Sequence, residues 1–180
     1  KFYRNNGGST QLKGVESDIA MPDKYTYFEI GERDEKNPFS WDKIEPAEYT
    51  PVNVYANFHE VVNESKKRIA DNPHFIIIDD NAKWLKQGRD KTLIHLNYEK
   101  FKNDIEQREK ESEAFGDIAL YESNLTFNSP QYEFALMEQD SILAKKREIW
   151  HKNLKKDIYM EEALTVLSEL EINKNLLVKN

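Results

Sequence analysis

Apolar residues in the later two thirds of the chain recur at the spacing of an α-helix. Phe58, Val61, Val62, Ser65 and Ile69 fall at i, i+3, i+4, i+7 and i+11, which places them on one face of a helix. The spacing predicts a helix over about 54–71. The same reasoning predicts helices over about 73–87, ended by Gly88, and over 158–172, one that begins after Asn97 and stops at Gly116, and a longest one that starts at Ser129 and Pro130.

The predicted longest helix carries apolar pairs that repeat every seven residues. We call these pairs the heptad seam: Ala135/Leu136, Ile142/Leu143 and Ile149/Trp150. A seam of this kind packs along a partner helix. The last predicted helix offers such a partner through Tyr159, Ala163, Val166, Leu167 and Leu170. In the helix that follows Asn97, the same spacing predicts that Tyr98, Phe101 and Ile105 face inward.

The first 30 residues follow a different pattern. Apolar and polar residues alternate on both sides of the Asn5–Gly8 run, and these turn residues tolerate the positive φ of a tight hairpin. We therefore predict β structure over residues 1–19 and a domain boundary in the polar stretch 31–38. The fold class is an α+β fragment, with a mainly helical domain over 31–180 preceded by a short β-hairpin segment within 1–30. Trp41 and Trp150 are predicted to be buried anchors because of their size and position.

Charge and composition exclude several classes of function. The chain has 180 residues with 26 Lys and Arg against 33 Asp and Glu, a net charge of −7, which disfavours binding to nucleic acid and to anionic lipid. Without cysteine it has no disulfide, thiolate nucleophile or thiolate metal site. No apolar run approaches the roughly 20 residues of a membrane span.

The sequence contains neither a close-pair zinc motif nor a GxSxG nucleophile motif. The histidines, His59, His74, His95 and His151, form no HExxH or other close pair. None of the nine serines lies in GxSxG. We therefore predict no catalytic residue, no metal ligand and no cofactor in this chain, with its substrate-binding residues unknown.

Asp79 and Asp80 suggest one alternative function from a local sequence pattern. They follow the apolar run Phe75–Ile78, and carboxylates at the C-terminal end of a buried parallel strand often hold magnesium for phosphoryl transfer. That interpretation makes the chain a metal-dependent enzyme. It also requires glycine-rich phosphate turns and alternating strands and helices, whereas the flanking patterns here are helical, so a helix with two exposed acids fits better.

Two stretches carry a resemblance to a known family. Residues 1–23 read KFYRNNGGSTQLKGVESDIAMPD and closely resemble the end of the peptidase domain of the tail-specific, or C-terminal processing, serine peptidases. NPFSWDKIEPAEY over 37–49 and DIYMEEALTVLSELE over 157–171 resemble the C-terminal domain of the large members. Ser17 stands where the family usually has proline, and Phe39-Ser40 replaces a more usual Leu-Pro.

The resemblance implies a parent enzyme of known type. It is a Ser/Lys-dyad endopeptidase with a PDZ domain, which recognises the C-termini of its protein substrates in the periplasm of a Gram-negative bacterium. The dyad belongs upstream of Lys1, so this chain alone is expected to be inactive. Residues 1–30 then form the end of the peptidase domain, and residues 31–180 form a helical domain that packs on the peptidase core and shapes substrate access.

Two further expectations concern partners. The helical domain is expected to contact the peptidase and PDZ domains of the parent; in the alternative, it is an interaction module that docks an adaptor lipoprotein or the substrate. The severed hairpin over residues 1–12 has lost its sheet neighbours, and unpaired strand edges seek new ones. We therefore expect it to pair with another copy of the chain or to be poorly ordered.

Overall fold

The computed structural model describes residues 1–173 and is mainly helical, as the sequence predicts. Six α-helices follow a largely irregular N-terminal third: α1 (Phe58–Asp71), α2 (Pro73–Asp90), α3 (Tyr98–Glu113), α4 (Gln131–Gln139), α5 (Ser141–Lys155) and α6 (Ile158–Glu169). Short 3-10 turns lie at Gly31–Asp34 and Gly116–Leu120. No helix among these residues is long and apolar enough to cross a membrane.

The predicted helix starts are confirmed where the sequence carries a cap. Asn72 accepts a hydrogen bond from the His74 amide at 2.9 Å and precedes Pro73, the first residue of α2. Asn97 does the same for the Lys100 amide at 3.1 Å, at the start of α3. Each cap satisfies a backbone N–H that has no partner within the helix.

The start of α1 and the C-terminal end of α6 differ from the prediction for one shared reason. Tyr55 and Ile172 form an antiparallel bridge, and the Asn57 side chain hydrogen-bonds the Glu169 carbonyl at 2.8 Å and the Glu171 amide at 2.9 Å. These pairings hold the chain extended before α1 and after α6. The two helices are therefore shorter than 54–71 and 158–172.

Gly88 does not end α2, which continues to Asp90. The Arg108 guanidinium of α3 lies where a side chain on Gly88 would project, and it stacks on the Trp84 ring with its centre 4.0 Å from the ring centroid. The glycine therefore makes room for a cation–π contact between α2 and α3.

The predicted longest helix is split at Asp140. The Asp140 side chain accepts hydrogen bonds from the Ile142 and Leu143 amides at 2.9 and 3.0 Å and so caps a new helix, α5. Helices α4 and α5 pack against each other, while α6 packs against α1. The prediction that the heptad seam packs on the last helix is wrong.

A small core joins α1, α2 and α6. Ile69, Phe75 and Ile158 form its centre, and Phe75 is only 1% exposed. The Phe75 and Tyr159 rings meet edge to face, 5.8 Å apart. The prediction that Trp41 and Trp150 are buried anchors is wrong, since they are 40% and 47% exposed. Size alone does not say which side chains a fold encloses.

The predicted N-terminal strands do not form. A single antiparallel bridge joins Tyr3 to Ser9, and positive φ angles of 63° at Leu12 and Gly14 break the extended run. Gly7, at φ +81°, turns the chain so that its carbonyl accepts the Ile44 amide at 2.9 Å.

Residues 42–47 supply further partners for this turn. The Ser9 amide donates to the Asp42 carbonyl, and the Ala47 amide donates to the Asn5 carbonyl, both at 2.9 Å. Residues 5–9 thus bind residues 42–47 of the same chain. Pairing of the hairpin with another copy stays a prediction.

Candidate functional site

Asp79 and Asp80 lie in the middle of α2, so the strand interpretation is wrong and the helical one is confirmed. The Lys83 ammonium pairs with Asp79 at 2.8 Å and with Asp80 at 3.1 Å. The Tyr27 hydroxyl donates to the other oxygen of Asp79 at 2.8 Å. Hydrogen bonds from Lys83 and then from Tyr27 hold the pKa of the Asp79 carboxyl below its usual value.

These contacts attach the N-terminal segment to the helices. Tyr27 binds α2 through Asp79, and the Tyr159 hydroxyl of α6 donates to the Pro22 carbonyl at 2.8 Å. Ile19 and Met21 pack against the core. Asp79 and Asp80 therefore bind a lysine and a tyrosine, and the segment 19–27 is attached to α2 and α6 by these contacts.

The four histidines are dispersed through the fold. His95 Nδ1 lies 2.9 Å from Asp104, His74 contacts the edge of the Tyr121 ring with 4.9 Å between centroids, and His59 is exposed on α1. His151 has a buried Nε2 without a hydrogen-bond partner. Within residues 1–173, no three His, Asp or Glu side chains group as a metal site would require.

An open cleft of about 630 Å³ lies between the N-terminal segment, α2 and the start of α6. Tyr25, Ile78, Ile118 and Tyr159 give it apolar walls, and Lys24, His74, Asn81 and Lys156 add polar groups to its lining. Tyr121, also in the lining, has a buried hydroxyl without a partner. The cleft has the size and mixed character of a binding pocket.

The segment between α2 and α3 exposes large aliphatic side chains. Leu93 is 82% exposed, Ile94 70% and Leu96 100%. Residues 92–96 make no backbone hydrogen bond within the described part of the chain. Isoleucine and threonine are enriched in β-strands, and backbone groups without partners favour pairing with a sheet edge.

Two helix surfaces are also open. Tyr98, Phe101 and Ile105 of α3 are exposed rather than facing inward, so that prediction is wrong. The exposed apolar side chains of α4 and α5 include Leu136, Ile142, Ile149 and Trp150 of the heptad seam, together with Tyr132 and Phe134. The repeat identified a surface that needs a neighbour, but no helix of the described chain covers it.

A buried polar network joins α1 to α6, and its charged residues were not singled out from the sequence. The Ser65 hydroxyl donates to Glu162 at 2.6 Å, and Arg68 bridges Glu162 and Glu169, each at 2.9 Å. Ser65 at a core position of the α1 pattern was the available signal. Its partner lies 97 residues away, beyond the reach of local patterns.

The six helices, the small core and the open helix faces define a mainly helical domain. Residues 25–171 match the family described as the C-terminal domain of tail specific protease (DUF3340), and the chain belongs to this family. The tail-specific protease of Haemophilus influenzae is 43% identical over 102 residues, which cover 54% of this chain and 15% of that protein. No solved structure matches the chain.

Proposed function

We propose that residues 31–180 pack on the peptidase core of a periplasmic tail-specific serine endopeptidase and shape the access of substrates to it. The surface of the chain carries this proposal. The whole chain exposes 14573 Å², whereas a compact monomer of 21.3 kDa would expose about 9,100 Å². Many leucine, isoleucine and aromatic side chains are among the exposed residues, and burying them against a neighbour is favourable.

In this proposal, residues 1–30 are the end of the peptidase domain. The family match begins at residue 25, close to the proposed boundary. The hydrogen bonds between residues 19–27 and helices α2 and α6 would then fasten the peptidase to the helical domain. A junction held by several contacts fixes the orientation of the two domains relative to each other better than a flexible linker does.

The activity itself belongs to the parent enzyme. The relative in Haemophilus influenzae is a tail-specific protease, of which this chain spans 15%. We propose that the parent cleaves proteins recognised by their C-termini, through a Ser/Lys dyad and a PDZ domain outside these 180 residues. This chain alone is then inactive.

A substitution at Leu96 tests the packing proposal. Because Leu96 is fully exposed in the chain, Leu96→Asp should change the free energy of unfolding of the isolated chain by less than about 0.5 kcal/mol. In the full-length protease the same change would bury a charge at the interface. We expect a lower melting temperature and slower cleavage of a substrate with a defined C-terminal tag.

Leu96→Met is the matched control, since it keeps an apolar side chain of similar volume and should retain cleavage. Wild-type cleavage and melting of the full-length Leu96→Asp protease would overturn packing at this position. Protein cleavage by the purified 180-residue chain would overturn the assignment of catalysis to the rest of the parent.

The open surface of α4 and α5 supports a second candidate function, docking of an adaptor lipoprotein or of the substrate. Their large apolar side chains are exposed on two consecutive helices that pack against each other, the second of which is capped by Asp140. Trp150→Ala in the full-length protease should then weaken capture of the adaptor while leaving cleavage of a short peptide unchanged. Equal capture by both proteins would count against this candidate.

A further inference from the structure

Helix α5 concentrates positive charge in an acidic chain. Residues 141–156 hold six cationic side chains and one anionic side chain, Glu148, for a net charge of +5. Since the whole chain carries −7, the other residues together carry −12. The cationic members are Lys145, Lys146, Arg147, Lys152, Lys155 and Lys156.

Four of the six cationic side chains form no salt bridge within the described residues. Arg147 pairs with Glu133 of α4 at 2.5 Å, and Lys152 pairs with Glu148 at 2.6 Å. Within residues 1–173, the other four lysines make no ion pair or side-chain hydrogen bond. Unpaired cations beside each other repel, so this face would be stabilised by an acidic neighbour.

The lysines border an exposed apolar ridge. Ile142 and Ile149, which are 67% and 50% exposed, are seven residues apart and so lie on the same side of α5, about 10.5 Å from each other along its axis. Lys145 and Lys146 lie three or four residues from both isoleucines, which makes them neighbours on the helix surface. Lys152 flanks Ile149 in the same way.

We propose that this face of α5 binds an acidic amphipathic segment of a separate protein. The isoleucine ridge would take apolar side chains, while the lysines would pair with the Asp and Glu beside them. Phosphate groups would leave the ridge unused, and the −12 carried by the rest of the chain would repel an extended anionic surface. The inference rests on the second candidate function and names the chemistry of its partner.

A synthetic helical peptide provides the test. It carries leucine at every third or fourth position and glutamate on both flanks, with a fluorescent label for anisotropy titrations against the 180-residue chain. We expect saturable binding at 50 mM salt that weakens on the order of tenfold or more at 500 mM. A peptide with every glutamate replaced by glutamine should bind on the order of tenfold more weakly.

Charge reversal on α5 locates the binding face. Lys145→Glu/Lys152→Glu should weaken binding on the order of tenfold, and Ile149→Ser should weaken it without changing its salt dependence. Lys100→Glu/Lys102→Glu makes the same charge change on exposed α3 and should leave affinity within about twofold. Circular dichroism of each variant verifies that it is folded.

Three results would overturn the inference: no saturable binding, equal weakening by the α3 and α5 variants, or tighter binding to phosphatidylglycerol vesicles than to the peptide. The full-length protease separates this inference from the candidate on which it rests. If its Lys145→Glu/Lys152→Glu variant captures the adaptor as the wild type does, the adaptor-docking candidate is retained. The proposal that α5 binds an acidic segment is then wrong. If the wild type captures no adaptor, the docking candidate itself fails.

Discussion

The network between α1 and α6 gives the sharpest test of how the fold is held together. Glu162 is 8% exposed and accepts hydrogen bonds from Ser65, which is fully buried, and from Arg68. The contact lies across the two helices that bracket the domain in sequence. Glu162→Ala removes the shared acceptor and leaves both donors in place.

The expected cost follows from what each donor loses. The Ser65 hydroxyl is left buried without a partner, which costs about 1 to 3 kcal/mol. Arg68 keeps Glu169 at 2.9 Å, and its side chain is 33% exposed, so water compensates for most of the second loss. We expect a total of about 2 to 3 kcal/mol, which lowers the melting temperature of a chain this size by about 4 to 12 °C.

Urea unfolding followed by circular dichroism measures the change, with Glu161→Ala as the control. Glu161 is the adjacent acid on α6, and its side chain makes no ion pair or hydrogen bond in the described structure. In the double variant with Ser65→Ala the buried donor is gone, so the combined loss should be smaller than the sum of the single losses. A Glu162→Ala variant as stable as Glu161→Ala would refute this account.

Substitutions at three other contacts have separate expected effects. Phe75→Ala empties the centre of the core and should cost about 3 to 5 kcal/mol in urea unfolding; a loss below 1 kcal/mol would show that the core lies elsewhere. Gly7→Ala places a methyl group against the Ile44 carbonyl at a positive φ, so the Ile44 amide should exchange its hydrogen roughly tenfold faster, with α2 amides unchanged. Asp79→Asn should cost about 0.5 to 1 kcal/mol at pH 7. Because the pKa of Asp79 is lowered by Lys83 in the fold, its stabilisation is present above about pH 4 and lost as pH falls through the folded pKa, so the two proteins should converge in acid; a constant difference down to pH 2 would contradict this.

The sequence predicts those parts of the fold that depend on near neighbours. Asn72 with Pro73 and Asn97 are helix caps whose partners lie two or three residues away, so their signals are local. Asp140 carried the same kind of signal, an acid just before Ser141 and an apolar pair, but the heptad repeat across it favoured one continuous helix. The cap is the stronger of the two because it satisfies two backbone amides directly.

Local sequence patterns do not predict contacts between residues that are distant in the sequence. The pairing of Lys83 with Asp79 could be expected from their spacing of four, whereas the hydroxyl of Tyr27 comes from 52 residues away. Gly88 looked like a helix end because nothing nearby indicates that Arg108 occupies the space beside it. In each case a neighbour distant in the sequence determines the role of the residue.

The heptad seam shows what periodicity does and does not specify. A repeat of apolar residues on one helix face indicates that the face is covered, because exposed leucine and isoleucine are unfavourable in water. It carries no information about which chain covers them. Leu136, Ile142 and Ile149 remain exposed although α6 is close enough in sequence to have packed on them. Together with Leu96, these side chains therefore support covering neighbours outside the described residues, and the substitutions at Leu96 and on α5 test the two surfaces one at a time.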